Sequence, residues 1–172
     1  MNQGLIESMS QFLPLTLTRH VPITLADSRT THTMADAYTG PIPKPTPETK
    51  PFWDAAKQRT LLIQRCGDCA QHYFYPRPLC PNCLSRNVTW VEASGRGRLH
   101  TFVINHRPPR NFPLPAPIII GIVELDEGPR ILTNIVGIEP DPTKVRCDMA
   151  VEVVFEDITA EITLPRFRPS AR

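Results

Sequence analysis

Two short cysteine pairs limit what this chain can become. Cys66-Gly67-Asp68-Cys69 is followed, after ten residues, by Cys80-Pro81-Asn82-Cys83. A C-x-x-C turn brings two sulfurs close enough to share one ion, and two such turns joined by a short hairpin complete a tetrahedron. The spacing predicts a structural Zn2+ bound by Cys66, Cys69, Cys80 and Cys83. Thiolate at all four positions leaves no coordination site for water or substrate, so the metal acts as a staple and not as a catalyst. A redox dithiol and a pair of disulfides are the alternatives, and the doubled spacing suits them less well. A ribbon this small cannot fold on its own apolar surface, so metal binding supplies much of its folding free energy. Zinc knuckles often place glycine after the second cysteine, where a positive φ is easy. Here those positions are Ala70 and Leu84, which predicts a less relaxed knuckle. His72 is a fifth candidate ligand, but with four cysteines present a packing or surface role fits it better.

The rest of the chain reads as mostly β. Its 172 residues include 20 prolines against 8 glycines, a balance that favours stiff turns and extended stretches over long helices. Residues 1–47 read as a disordered tail and linker, with Gly40-Pro41-Ile42-Pro43-Lys44-Pro45-Thr46-Pro47 extended in polyproline fashion. Met34, just before that linker, is read as the natural translation start, which makes the first 33 residues dispensable; the intact mass of the native chain checks this, and a chain starting at Met1 contradicts it. Residues 48–93 form the helix and ribbon unit. Phe52, Trp53, Ala55 and Ala56 have helical spacing within Glu48 to Arg59, and Leu61 to Arg65 is a strand leading into Cys66. Residues 94–172 form the barrel, with strands expected at Arg98 to Asn105, Ile118 to Asp126, Arg130 to Val136, Val151 to Asp157 and Glu161 to Phe167. Asp126-Glu127-Gly128-Pro129 is a tight hairpin turn. The loop from His106 to Pro117 holds five prolines. Five short strands with a long loop after the first fit an OB-type Greek-key barrel, with an SH3-like barrel or small sandwich as competitors.

Composition and motifs argue against a self-sufficient enzyme. There is no G-x-S-x-G, H-E-x-x-H or P-loop. Cys147 is flanked by Lys144-Val145-Arg146 and has no histidine near it in sequence, so it reads as an incidental thiol. His100 and His106 flank a strand with no evident carboxylate partner. Asp126, Glu127, Glu156 and Asp157 read as turn and strand-end charges. No apolar run is long enough to span a bilayer, and the first residues lack a basic n-region, so a cytoplasmic location is expected. The net charge of +2 and the 7% aromatic content count against a single-stranded nucleic-acid-binding OB protein, the alternative function.

Several segments, in order, carry a resemblance. They are Pro51-Phe52-Trp53, Gln64-Arg65-Cys66, Arg77-Pro78, Ser94-Gly95-Arg96-Gly97, Val123-Glu124-Leu125-Asp126-Glu127-Gly128-Pro129-Arg130, Leu132-Thr133-Asn134, Val154-Phe155-Glu156-Asp157 and Leu164-Pro165-Arg166-Phe167-Arg168-Pro169. From about Pro45 to Pro169 the chain resembles the zinc-ribbon/OB-fold proteins of domain-of-unknown-function family 35. The resemblance implies a short helix, a rubredoxin-like zinc ribbon and a five-stranded OB barrel. It implies a noncatalytic accessory or scaffold subunit of an acyl-CoA thiolase, acyltransferase or aldolase complex, such as those of lipid or steroid side-chain degradation. The partner expected is a thiolase-superfamily or aldolase/hydratase subunit in a hetero-oligomer, docked by the helix and ribbon, while the barrel contacts CoA or acyl-CoA. Cys147 falls where such proteins often have glycine, and no role is carried onto it. Within this reading Arg107, Arg110, Arg166 and Arg168 are candidate contacts for CoA phosphates, since guanidinium forks match phosphate oxygens. Phe52, Trp53, Phe112 and Phe167 are candidate partner contacts, with core burial as the competing role for each.

Overall fold

A computed structural model describes residues 38–170. The apolar N-terminal stretch and Met34 lie outside the described residues. The chain enters along the proline-rich segment, where the Thr39 hydroxyl donates to the Asn111 carbonyl at 3.3 Å.

One helix, α1 (Lys50–Lys57), follows. It is shorter at both ends than the apolar spacing suggested, because local chemistry sets its limits. Pro51 occupies the first turn, where its missing N–H is no loss. At the other end Arg59 sits at φ 62°, a place glycine usually takes. The Arg59 guanidinium donates to the Phe155 carbonyl at 2.9 Å and pairs with Asp157. Lys57 reaches Asp157 as well, at 3.1 Å. The Thr163 hydroxyl beside it, with Lys57 and Arg59, pulls the Asp157 carboxyl down to about 2. The helix end is thus held to the barrel by charge, while Phe52 and Ala56, one turn apart, bury the opposite face.

The ribbon sheet has three antiparallel strands in the order β2-β1-β3, where β1 is Leu62–Cys66, β2 is His72–Tyr73 and β3 is Val88–Glu92. The sequence reading absorbed β3 into the cysteine-rich unit. In the structure it pairs along the whole of β1, from Leu62 opposite Glu92 to Cys66 opposite Val88. Buried Gln64 is satisfied by the Arg77 backbone N–H, 2.6 Å from its Oε1.

The barrel strands are β4 (Arg96–Asn105), β5 (Ile118–Leu125), β6 (Arg130–Ile135), β7 (Ala150–Asp157) and β8 (Thr163–Pro169), within two residues of the expected starts and ends. They close in the order β4-β5-β6-β8-β7, the five-stranded OB barrel. Inward positions of β5 alternate as period two requires: Ile119, Gly121, Val123 and Leu125 are buried. Gly121 is needed there, since a Cβ would lie 2.7 Å from the Leu99 side chain and 3.0 Å from that of Ile135. The expected hairpin at Asp126 to Pro129 forms, with Gly128 at φ 101°. A single apolar core joins Phe52, Ile63 and Ala93 of the helix and ribbon to Leu99, Val123 and Phe167 of the barrel.

The barrel has one weak seam. β6 and β8 run parallel and share a single backbone pairing, Ile135 with Phe167. Side chains complete the closure. Arg166, 4% exposed, donates to Asn134 on β6 at 3.0 Å and pairs with Glu156 on β7, so it ties three adjacent strands. Asn134 in turn donates to the Ile119 carbonyl on β5 at 3.3 Å. Charge-assisted hydrogen bonds contribute about 1.5–3 kcal/mol each when removed. Because Glu156 is half-exposed and can be rehydrated, Arg166→Ala is expected to cost about 2 kcal/mol in urea unfolding. Its cost and that of Asn134→Ala should not add. A loss below about 0.5 kcal/mol, or full additivity, removes Arg166 from this role.

Candidate metal centre

β1 ends on the first candidate ligand, Cys66, and the strand pairing with β3 fixes where its sulfur points. Each cysteine pair then folds the same way. The Cys66 N–H donates to the Gln71 carbonyl and the Cys80 N–H to the Ser85 carbonyl, both at 2.9 Å and both spanning five residues. In the first turn the Cys69 N–H faces the Cys66 Sγ at 3.5 Å; in the second the Asn82 N–H faces the Cys80 Sγ at 3.4 Å. Each turn thus aims a backbone N–H at a sulfur. A hydrogen bond from the Gln71 backbone amide, helped by Asn82, lowers the Cys69 thiol to about 6.

All four sulfurs lie within 4.8 Å of one another. The pairs that cross between the two turns, Cys66 with Cys83 and Cys69 with Cys80, are each 3.6 Å apart. Four sulfurs about 2.3 Å from a tetrahedral zinc stand about 3.8 Å from each other, so the donor set and its size fit zinc. Cys66 and Cys80 are buried, Cys69 is half-buried and Cys83 is exposed. His72 is outside the quartet and pairs with Arg65 in the sheet. When bound, the ion supplies cross-linking and no open coordination position.

The positions after the second cysteines carry the expected tension. Ala70 has φ 61° and Leu84 φ 59°, both in the left-handed region. Such a conformation costs an L-residue roughly 1–2 kcal/mol.

The other expected site residues are scattered. Arg107 and Arg110 are exposed in the loop after β4. Arg168 is exposed and pairs with Glu152 at 2.8 Å, while the Arg166 guanidinium is taken up at the seam. Phe167 is fully buried and Phe112 is half-buried in the long loop. Phe52 and Trp53 come together with Phe74, with ring centroids 4.9 and 5.3 Å from that of Phe52. They form one wall of an apolar groove of about 190 Å³, whose other walls include Tyr75, Leu132 and Leu164. Sequence reasoning missed the barrel side of this groove, because Leu132 and Leu164 are distant in the chain from Phe52 and Trp53 and meet them only in the folded barrel. Cys147 is exposed in a turn. Among the described residues no helix is long and apolar enough to cross a membrane.

Elemental analysis of the purified chain should give one zinc per polypeptide, and Cys80→Ser should abolish it together with the ribbon's protection from proteolysis. Ala70→Gly and Leu84→Gly should each raise stability of the zinc-loaded chain, by about 1 kcal/mol, by relieving the positive φ. A fall in the unfolding midpoint for both variants contradicts that account.

Comparisons with known proteins match two adjoining stretches of the chain. Residues 53–89 match the family model for the ChsH2 rubredoxin-like zinc ribbon domain, and residues 90–156 match the ChsH2 C-terminal OB-fold domain. A probable enoyl-CoA hydratase alpha subunit of Thermomonospora curvata is 43% identical over 123 residues, which is 69% of this chain and 37% of that protein. The present chain therefore spans little more than a third of that relative. A DUF35 domain-containing scaffold protein of Methanocaldococcus jannaschii is 37% identical over 108 residues, covering 62% of this chain and 75% of that one. The solved structure of an Ltp2-ChsH2(DUF35) aldolase includes a chain that is similar with a TM-score of 0.66 and 38% identity, covering 74% of this chain and 98% of that chain. Both domains match, and the M. jannaschii relative is covered over 75% of its length, so the chain belongs to the DUF35 family of zinc-ribbon/OB-fold proteins.

Proposed function

We propose that this chain is an accessory, noncatalytic subunit of an acyl-CoA enzyme, holding a catalytic partner of the thiolase, aldolase or hydratase type. The observation that carries the reading is the quartet of cysteine thiolates, which leaves a bound zinc no place for substrate. The names of the relatives, a scaffold protein, a hydratase alpha subunit and an aldolase assembly, support the same class of role.

The groove bounded by Trp53, Tyr75 and Leu132 is the docking surface in this reading. Tyr75 is 54% exposed and Leu132 59%, so large apolar side chains stand in water where helix, ribbon and barrel meet. Aromatic and aliphatic anchors of this kind carry most of the energy at protein interfaces. Arg107 and Arg110 are the arginines offered to the phosphates of CoA, since Arg166 and Arg168 already have carboxylate partners.

The test is purification of the tagged full chain from its native cell, followed by reconstitution. An enzyme subunit acting on an acyl-CoA should elute with it in fixed stoichiometry, and its turnover should rise when the zinc-loaded chain is added. Leu132→Asp should weaken that association at least tenfold without loss of zinc. Turnover of an acyl-CoA by this chain alone, or elution without any enzyme, overturns the proposal.

A further inference from the structure

We propose that Asp68 is a positioning residue for the zinc centre, clasping one cysteine turn to the other so that a sulfur released from the metal is held close to the others. Asp68 lies between Cys66 and Cys69, and it makes no contact with the groove or with the arginines discussed above. Both of its carboxylate oxygens are used. Oδ2 accepts from the Ser85 hydroxyl at 2.5 Å and Oδ1 from the Asn87 side-chain amide at 2.8 Å. Ser85 and Asn87 follow the second cysteine turn directly, so both bonds cross the gap that the 3.6 Å sulfur pairs also cross.

The partners are themselves fixed. The Ser85 carbonyl accepts from the Cys80 N–H at 2.9 Å, and the Ser85 Oγ accepts from the Asn87 N–H at 2.9 Å. The Asn87 carbonyl accepts from the Gly67 N–H at 2.7 Å, closing the ring back onto the residue before Asp68. Gly67 is what lets this happen: a Cβ there would sit 2.4 Å from the Asn87 Nδ2. The clasp therefore commits three side chains, a backbone bond and a glycine to one crossing.

The need for it follows from Ala70 and Leu84. Glycine at those positions would let each turn keep its shape unaided; here both are at positive φ and favour opening. Metal loss proceeds through stepwise release of thiolates, and a released pair that remains tethered is returned at high effective concentration. The clasp supplies that tether across the turns, in addition to the hairpin that joins them in sequence.

The test is the rate of zinc transfer from the loaded full chain to a chromophoric chelator, followed by absorbance. Asp68→Ala should speed transfer about tenfold and Ser85→Ala severalfold. Ser85→Thr, which keeps the hydroxyl, should match the wild type, and Asp68→Ala/Ser85→Ala should be no faster than Asp68→Ala alone. Cobalt-substituted protein should keep its thiolate charge-transfer band in every variant, because Asp68 is not a ligand. Near-UV circular dichroism reports whether the barrel stays folded; if Asp68→Ala disrupts it, the two Ser85 variants decide. Transfer within twofold of wild type for both alanine variants, independent additive effects, or equal loss in Ser85→Thr overturns the proposal. None of these readouts depends on the catalytic partner, so they stand apart from the accessory-subunit reading.

Discussion

Four sulfurs converge where almost no other core exists. The buried cluster of the ribbon consists of Cys66, Tyr73 and Cys80, with Cys69 and Val88 packed against it. Two of those three buried residues are ligands. A sheet of this size buries too little apolar surface to offset the entropy of ordering its loops. Cross-linking through a metal therefore stands in for a hydrophobic core, and the positive φ at Ala70 and Leu84 is tolerated because the metal and the hydrogen bonds around it over-determine the turns.

The barrel solves a different problem and lends its solution to the ribbon. Its own core is ordinary, with Leu99, Val123, Val151 and Phe167 fully or almost fully buried. That core continues without a break through Ala93 into Ile63 and Phe52. At the surface, Asp157 binds the end of the helix through Lys57 and Arg59. Ribbon, helix and barrel consequently share apolar contacts and charge contacts, and the groove at their junction has walls held by all three.

This arrangement separates what is rigid from what is available. The four sulfurs are gathered into one cluster of a size that fits zinc, and the seam arginine is taken up by its carboxylate and amide partners. Exposed side chains that remain include Tyr75 and Leu132 at the groove and Arg107 and Arg110 in the proline-rich loop.

The sequence alone was enough for the quartet, because C-x-x-C spacing is a local geometric requirement that tertiary context does not alter. It was also enough for the five barrel strands, whose β-branched runs are bounded by prolines and glycines, and for the strained turns, since Ala70 and Leu84 stand where glycine is easier. It did not reveal β3, because Val88 to Glu92 follows the cysteines with no break. Nor did it separate Arg166 from Arg168: two arginines two residues apart look alike in a string, yet one lies across the seam beside Asn134 and the other lies in solvent beside Glu152. The groove was half visible, through Phe52 and Trp53, while Leu132 and Leu164 joined it only when the barrel closed. Local spacing is written in neighbouring residues; which side chains meet across strands depends on barrel register, and register is set by the sum of distant contacts.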